Sequence, residues 1–538
     1  MKARAIMVLG TGSHVGKSLL TAALCRIFAD AGYKVAPFKS QNMSLNSAAT
    51  VEGLEIGRAQ ALQAEAARIA PSVHMNPILL KPAGHMTSQV IVRGKIWGRL
   101  SASDYHQHRV EELFPIVCES YETLASQYEV IVLEGAGSPA EINLKQHDIV
   151  NMRMAEAADA ACMLVGDIDR GGVFAALLGT VELLDPPEQS RIRGFVINKF
   201  RGDLSLLEPG IRMMEDRLQK PCLGVVPFLP ELRLDEEDSL GLPGNEHGAD
   251  SSWLAKIGDD RLNLDRPLRV AVIAFPSFSN FTDFDALRSE PAVSVRFCCD
   301  TIGLSGADVI ILPGSKQTVD DLFWMRRQGL DTAICAHASH SLIAGICGGM
   351  QMLGHSILDP DSNEHSGEAG AGEAGAGEAQ ALGLLPFSTR MNSEKITRQT
   401  SGALSTALLF GQPIELIGIS GYEIHVGETN YLPKARPFSV LSGGEVDGCI
   451  SAGTRIFGTY LHGIFDDDAF RHAFIAAARA FHHLAPAPAL DNWKQKRENS
   501  LDRLANAVRE ALDITQILSW AGLAYHPEPH PENPESIR

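Results

Sequence analysis

The run AIMVLGTGSHVGKS, Ala5 to Ser18, decides the first half of the chain: five apolar residues run straight into a glycine-rich turn that closes on Lys-Ser. Such a turn between a strand and a helix is what a nucleotide phosphate loop requires. Gly10, Gly12 and Gly16 let backbone N–H groups converge on phosphates, Lys17 reaches the outer phosphates, and Ser18 can ligate magnesium. Thr11 stands where the strict pattern carries its first glycine, with Gly10 one residue earlier. The following stretch can turn Leu19, Ala23, Leu24 and Ile27 to one helical face.

Outward from that loop, short apolar runs recur at Val130 to Leu133, Met163 to Val165, Gly194 to Ile197 and Leu223 to Val226. Near-continuous apolar runs separated by amphipathic stretches predict buried parallel strands with crossover helices. The run at 130–133 delivers Glu134 to a strand end, where open parallel sheets bind ligands, so Glu134 is the expected magnesium-side carboxylate. Asp167 is a second candidate by the same reasoning, and Asn198 is a candidate nucleobase contact. The polar run FKSQNMSLNS carries Lys39, Gln41 and Asn42, read either as a loop or as a substrate-facing surface.

A charged, Gly- and Pro-containing passage over 233–266 reads as a linker, after which a second strand series starts at Leu268 and continues at 309–312, 342–346, 415–417 and 456–460. The sharpest motif lies here, in LIAGICGGMQMLG. An apolar strand ends in Cys347 among Gly345, Gly348 and Gly349, the crowding a nucleophile elbow demands, and a helix N-terminus favours the thiolate. His462, in GTYLHGIF, is the expected base, with His425 ranked behind it; the Gly314 amide of LPGSK joins that of Gly348 as a candidate oxyanion hole. The chain thus divides into 1–232, linker 233–266, 267–482 and a C-terminal helix with solvated tail at 483–538. The Gly-Glu-Ala repeat within 361–381 is expected to be a disordered insertion.

Composition narrows the chemistry. With 47 basic against 65 acidic residues in 538 the net charge is −18, which disfavours broad nucleic-acid or anionic-membrane binding. Nine cysteines without a C-x-x-C pair, and no long apolar run, fit a reducing cytoplasm rather than export, a zinc cluster or a membrane span.

The run G-x-C-x-G-x-Q, which places Gln351 as a glutamine contact, resembles the elbow of class I glutamine amidotransferases, and LPGSK resembles their oxyanion loop. GTGSHVGKS and EGAGS resemble an ATP-binding domain of the dethiobiotin synthetase type. Together, with QNMSLNS, DIDRGGVF, NKFRGD, FSNFTDFD, GYEIHVG and TYLHGIF, they resemble the cobyric acid synthase family from Gly10 to about Leu504. The implied fold class is α/β: an N-terminal P-loop parallel-sheet domain plus a C-terminal class I glutamine amidotransferase-like domain. The implied activity is ATP- and magnesium-dependent amidation of four carboxylates of a corrinoid, with glutamine as ammonia donor. Ile464 stands where an ordinary triad has its acid, which the cobalamin branch is known to lack. A cobyrinic acid a,c-diamide synthase, a P-loop ATPase switch with a degenerate C-terminal module and a dethiobiotin-like carboxylase with a regulatory domain are the competing readings.

Overall fold

The structure is a computed structural model; it describes residues 3–82, 87–101, 104–105, 110–230, 232, 234, 264–361, 364, 377–415, 417–488 and 490–524. In the N-terminal half, β1 (Arg4–Gly10), β2 (Val35–Phe38), β3 (Val130–Glu134), β4 (Ala161–Asp167), β5 (Ile192–Phe200) and β6 (Cys222–Pro227) form one sheet in the order β6-β5-β4-β1-β3-β2. Every pairing is parallel. Five residues of β1, Ala5 to Leu9, are buried, because crossover helices cover both faces of such a sheet. Central β1 lies between β3 and β4, so the Gly10–Ser18 turn opens beside the ends of both.

In the C-terminal half, β7 (Leu268–Ile273), β8 (Val293–Cys298), β9 (Val309–Leu312), β10 (Leu342–Ile346), β13 (Cys449–Ile450) and β14 (Ile456–Thr459) form a second sheet, ordered β8-β7-β9-β10-β14-β13. Only the edge pair β13–β14 is antiparallel. Of the strand expected at 415–417, residue 416 lies outside the described residues, and 415 and 417 belong to no strand. In its place β11 (Phe387–Leu404) and β12 (Gly418–Tyr431) form a long antiparallel ladder belonging to a third sheet. The polar composition of β11 hid it: one face is exposed, and runs such as Asn392 to Glu394 carry no apolar alternation.

Of the segment expected to be a disordered insertion, residues 365–376 lie outside the described residues, as do 235–263 of the linker and 525–538 of the tail. Glu378–Gln380, still inside the expected insertion, is a strand paired with Ser356–Leu358. No described helix is long and apolar enough to cross a membrane.

Two features join the ends and halves of the chain. The helix α3 (Trp493–Ala511) returns to the first domain: Leu501, Leu504, Ala505 and Val508 are buried in one cluster with Ile6, Val8, Leu24 and Ile27. Arg26, fully buried on helix α1 (Lys17–Asp30), donates to Glu498 of α3 at 2.7 Å. Across the domain boundary, buried Glu55 accepts from Lys81 at 2.7 Å and from Lys395 of β11. The main chain adds Ser47 N donating to Asn280 Oδ1 (3.0 Å) and Phe281 N donating to Asn46 Oδ1 (3.2 Å).

Two stability measurements follow. Leu504→Ala empties a side-chain volume under α1 and is expected to cost about 2–5 kcal/mol in denaturant unfolding followed from the first domain. Burial alone pushes the Glu55 carboxyl up, but Lys395 and Lys81 outweigh it and hold it well below the usual range. A depressed folded value means that the stabilisation is complete above the unfolded pKa of about 4.3 and fades as pH falls below it. Glu55→Gln should therefore cost roughly 3–5 kcal/mol at neutral pH, and its thermal transition should depend less on pH below about 4 than that of the parent chain.

Candidate active site

Two clusters sit at the C-terminal ends of the two parallel sheets. In the first, Gly16 takes a φ of +98°, so α1 starts with its N–H groups facing the loop's hollow. A Cβ on Gly16 would lie 2.2 Å from the Asn198 amide nitrogen, and one on Gly12 would meet nothing within 4 Å. The loop is thus braced from below and open above. Lys17 arches over it, donating to the carbonyls of Gly12 (2.7 Å) and Gly137 (3.1 Å). Ser18 Oγ donates to Glu134 Oε1 at 2.8 Å, which joins the hydroxyl and the carboxylate expected at magnesium. Two hard oxygens that leave the remaining positions to phosphate and water suit that ion. Among the described residues no group of three or more His, Cys, Asp and Glu forms a self-sufficient metal cage.

Several residues sit differently from expectation. Asn198, a candidate nucleobase contact, donates from Nδ2 to the Val15 carbonyl at 2.8 Å and so also braces the loop. Asp167 accepts from Lys199 (2.9 Å), which also donates to the His14 carbonyl (2.6 Å). Lys39 and Asn42 are buried rather than lining an open surface: Lys39 donates to Glu134 (2.9 Å) and Asn42 to Gln60 (3.0 Å). Gln41 accepts from Tyr105. Side chains of the polar run pair with Glu134, Tyr105 and Gln60 within the first domain and, through Asn46, with the Phe281 amide of the second. Gln63, which donates to Glu134 at 2.6 Å, carried no sequence signal.

The second cluster follows from strand order. Because β10 lies between β9 and β14, the turns after all three converge. Cys347, directly after β10, has φ +51° and ψ −110°, a conformation that costs an L-residue about 1–3 kcal/mol. The neighbouring glycines make it possible: a Cβ on Gly349 would sit 1.9 Å from the Leu312 carbonyl oxygen, and one on Gly348 would sit 2.9 Å from Ser315 N. The same packing brings Gly314 beside the histidine, its Cβ position 2.9 Å from His462 Cε1. Cys347 also heads the helix α2 (Gly348–Leu353).

His462 comes from the turn after β14. Its Nδ1 lies 2.7 Å from Asp283 Oδ2, both side chains being 1% exposed, and Asp283 Oδ1 accepts from Gly463 N at 2.9 Å. Burial opposes the charged imidazole, but Asp283 and then Cys347 outweigh it and raise its pKa to about 10. The acid missing two residues after His462 is therefore supplied from far upstream, in the turn after β7. Strand-end reasoning of the kind applied to Glu134 does not reach it, since Asp283 lies in the short helix Phe281–Phe284, well beyond the end of β7.

A cavity of about 30 Å³ adjoins Cys347, His462, Gln351 and His425. Gln351 Nε2 donates to Tyr460 Oη at 3.4 Å, and its Oε1, 2% exposed as a residue, has no hydrogen-bond partner among the described residues. His425 stacks on Tyr460 with ring centres 3.8 Å apart, its Nδ1 2.8 Å from the Gly427 carbonyl. Cys347 Sγ donates to the Ile424 carbonyl of β12 at 3.6 Å.

Comparison with known proteins matches both halves. Residues 6–241 fit the CobQ/CobB/MinD/ParA nucleotide binding domain, and residues 269–470 fit the CobB/CobQ-like glutamine amidotransferase domain. The chain is 47% identical to the cobyric acid synthase of Moorella thermoacetica over 97% of its length and 98% of that protein. It is 47% identical to the one of Sorangium cellulosum (97% and 99%) and 45% identical to the one of Caldanaerobacter subterraneus (95% and 97%). With two family domains in this order and such identity across nearly the whole chain, the protein belongs to the cobyric acid synthase family.

Proposed function

We propose that this chain is an ATP-dependent, glutamine-hydrolysing amide ligase that amidates the b, d, e and g carboxylates of adenosylcobyrinic acid a,c-diamide to give adenosylcobyric acid, in the cytoplasm. The observation that carries this reading is the pairing of a braced phosphate loop with a strained, glycine-packed cysteine facing a buried His–Asp pair in one chain. Cys347 attacks the side-chain amide carbon of glutamine. The Gly314 and Gly348 amides face the developing oxyanion, and His462, held by Asp283, hands its proton to the departing nitrogen. Ammonia leaves, and water then attacks the thioester to give glutamate and the free thiol. Gln351 offers its unpartnered Oε1 to the amide N–H of glutamine.

At the other site Lys17 and the loop amides hold phosphate oxygens, while Ser18 and Glu134 hold magnesium. When bound, the magnesium nucleotide supplies the phosphoryl group that turns a poorly reactive carboxylate into an acyl phosphate open to ammonia. Lys39 and Gln63 fix Glu134 from behind, so its carboxylate is aimed before ligand arrives.

The test is mass spectrometry of the corrinoid after incubation with magnesium-ATP and amide-labelled glutamine. Four labelled amides are expected; they should disappear in Cys347→Ala and return when ammonium is supplied. Label in cobyrinic acid at two positions only would reassign the chain to a,c-diamide synthesis, and no turnover of either corrinoid would overturn the ligase reading. Asp283→Asn should lower glutamine-driven amidation by roughly 10²-fold or more. Losing the carboxylate also lowers the His462 pKa, so the alkaline limb of the pH–rate profile should move to lower pH; an unmoved limb would remove Asp283 from this role.

A further inference from the structure

The cavity beside Cys347 carries more positive charge than hydrolysis of a neutral amide requires. Lys316, Lys395 and Lys81 all line it, against one lining carboxylate, Glu364. Lys316 follows Ser315 in the turn after β9 and is 7% exposed. Its backbone N donates to the Ser277 carbonyl at 2.9 Å, while its ammonium makes no ion pair or hydrogen bond among the described residues; burial brings its pKa down to about 8, against the opposing pull of Glu364 and with Lys395 and Lys81 adding to the fall. Lys81 lies on Ile78–Pro82 of the first domain, 3% exposed, and Lys395 lies on β11 of the second. Glu55, behind the cavity wall, accepts from both and holds them in place, while Glu364 is engaged by Thr318. A buried excess of cations is costly unless a ligand anion answers it.

Granting the glutaminase reading above, we propose that the α-carboxylate of glutamine is bound by a lysine pocket built across the domain boundary, from Lys316 and Lys395 of the amidotransferase domain and Lys81 of the nucleotide-binding domain. Glutamine with its amide at Cys347 has one anionic group, at the far end of a short flexible chain; among the described residues these lysines are the cations of the cavity besides His462, and its volume of about 30 Å³ has to widen to admit the ligand. Lys316 is the primary contact, its ammonium being unpaired among the described residues; an ammonium has three donors, so Lys81, which donates to Glu55 and to Ser47 Oγ (2.9 Å), keeps one, and Lys395 keeps donors beyond the one given to Glu55. The amidotransferase domain then contains its nucleophile complete but its substrate pocket incomplete. Docking of the nucleotide-binding domain, fixed by Ser47–Asn280 and Asn46–Phe281, becomes a condition for holding glutamine.

The test compares ammonia release from glutamine with release from 4-aminobutanamide, which keeps the amide and amine but lacks the α-carboxylate. Both substrates meet the same thiol, so an effect of the lysines on thiol ionisation cancels in the ratio of the two kcat/KM values. In the full chain, Lys81→Met should lower that ratio roughly tenfold or more, through KM for glutamine, and Lys81→Arg should restore most of it. A ratio unchanged within about twofold, or an equal fall on both substrates, would overturn the pocket while leaving the ligase reading standing. A parent chain that releases no ammonia from glutamine in the presence of magnesium-ATP and corrinoid would instead sink that reading itself. Should Lys81→Met lack a cooperative thermal transition, Lys395→Met on the opposite wall is measured in its place: a tenfold fall in the ratio supports the pocket, and an unchanged ratio overturns it.

Discussion

The two sheets are useful to each other because a short hairpin, Asn46 to Glu55, buried at both its ends, is shared between them. Its amides and carboxylate reach Asn280, Phe281 and Lys395, and Phe281 lies two residues before Asp283. A buried polar group left without its partner costs more than the hydrogen bond itself provides. The register between the halves is therefore specified by polar complementarity, with apolar packing filling around it. The start of the run lies beside the segment that carries the histidine's acid, and its end meets Lys395, so both ends bind the second domain through polar contacts.

That arrangement suits chemistry whose intermediate is small, volatile and easily protonated. Ammonia made at Cys347 is useful only while uncharged, so the chemistry gains from keeping it out of bulk water. Buried lysines beside the thiol fit this need, since a cationic wall disfavours ammonium and leaves neutral ammonia indifferent. The strained backbone at Cys347 belongs to the same logic. A residue held at φ +51° persists only where its surroundings over-determine it, and here glycines packed to within contact of the Leu312 carbonyl do so.

The strands and their punctuation were legible in the sequence because parallel strands buried on both faces leave near-continuous apolar runs. The two glycine-rich turns were legible for a related reason: backbone that must pass close to something excludes side chains, and glycine shows where. What the sequence hid was pairing across distance. Asp283 lies 179 residues from His462 and carries no local mark of its role. Lys39, Asn42 and Asn198 read as ligand contacts because polar residues at strand ends often are; in the fold their partners are Glu134, Gln60 and Val15. Lys81 and Lys395 gave no signal, since a lone lysine on a strand looks like an exposed one until its neighbour across the boundary is known. The β11–β12 ladder escaped because its half-exposed strands lack apolar alternation.

The closing helix has a consequence for how the protein is made. The nucleotide-binding sheet is encoded in the first half of the gene, yet Leu501, Leu504 and Val508, which cover α1, come from the last tenth. At a synthesis rate of about 5–20 residues per second, the N-terminal domain leaves the ribosome tens of seconds before its lid exists. During that time an apolar surface built around Leu24 and Ile27 is open to solvent and to chaperones.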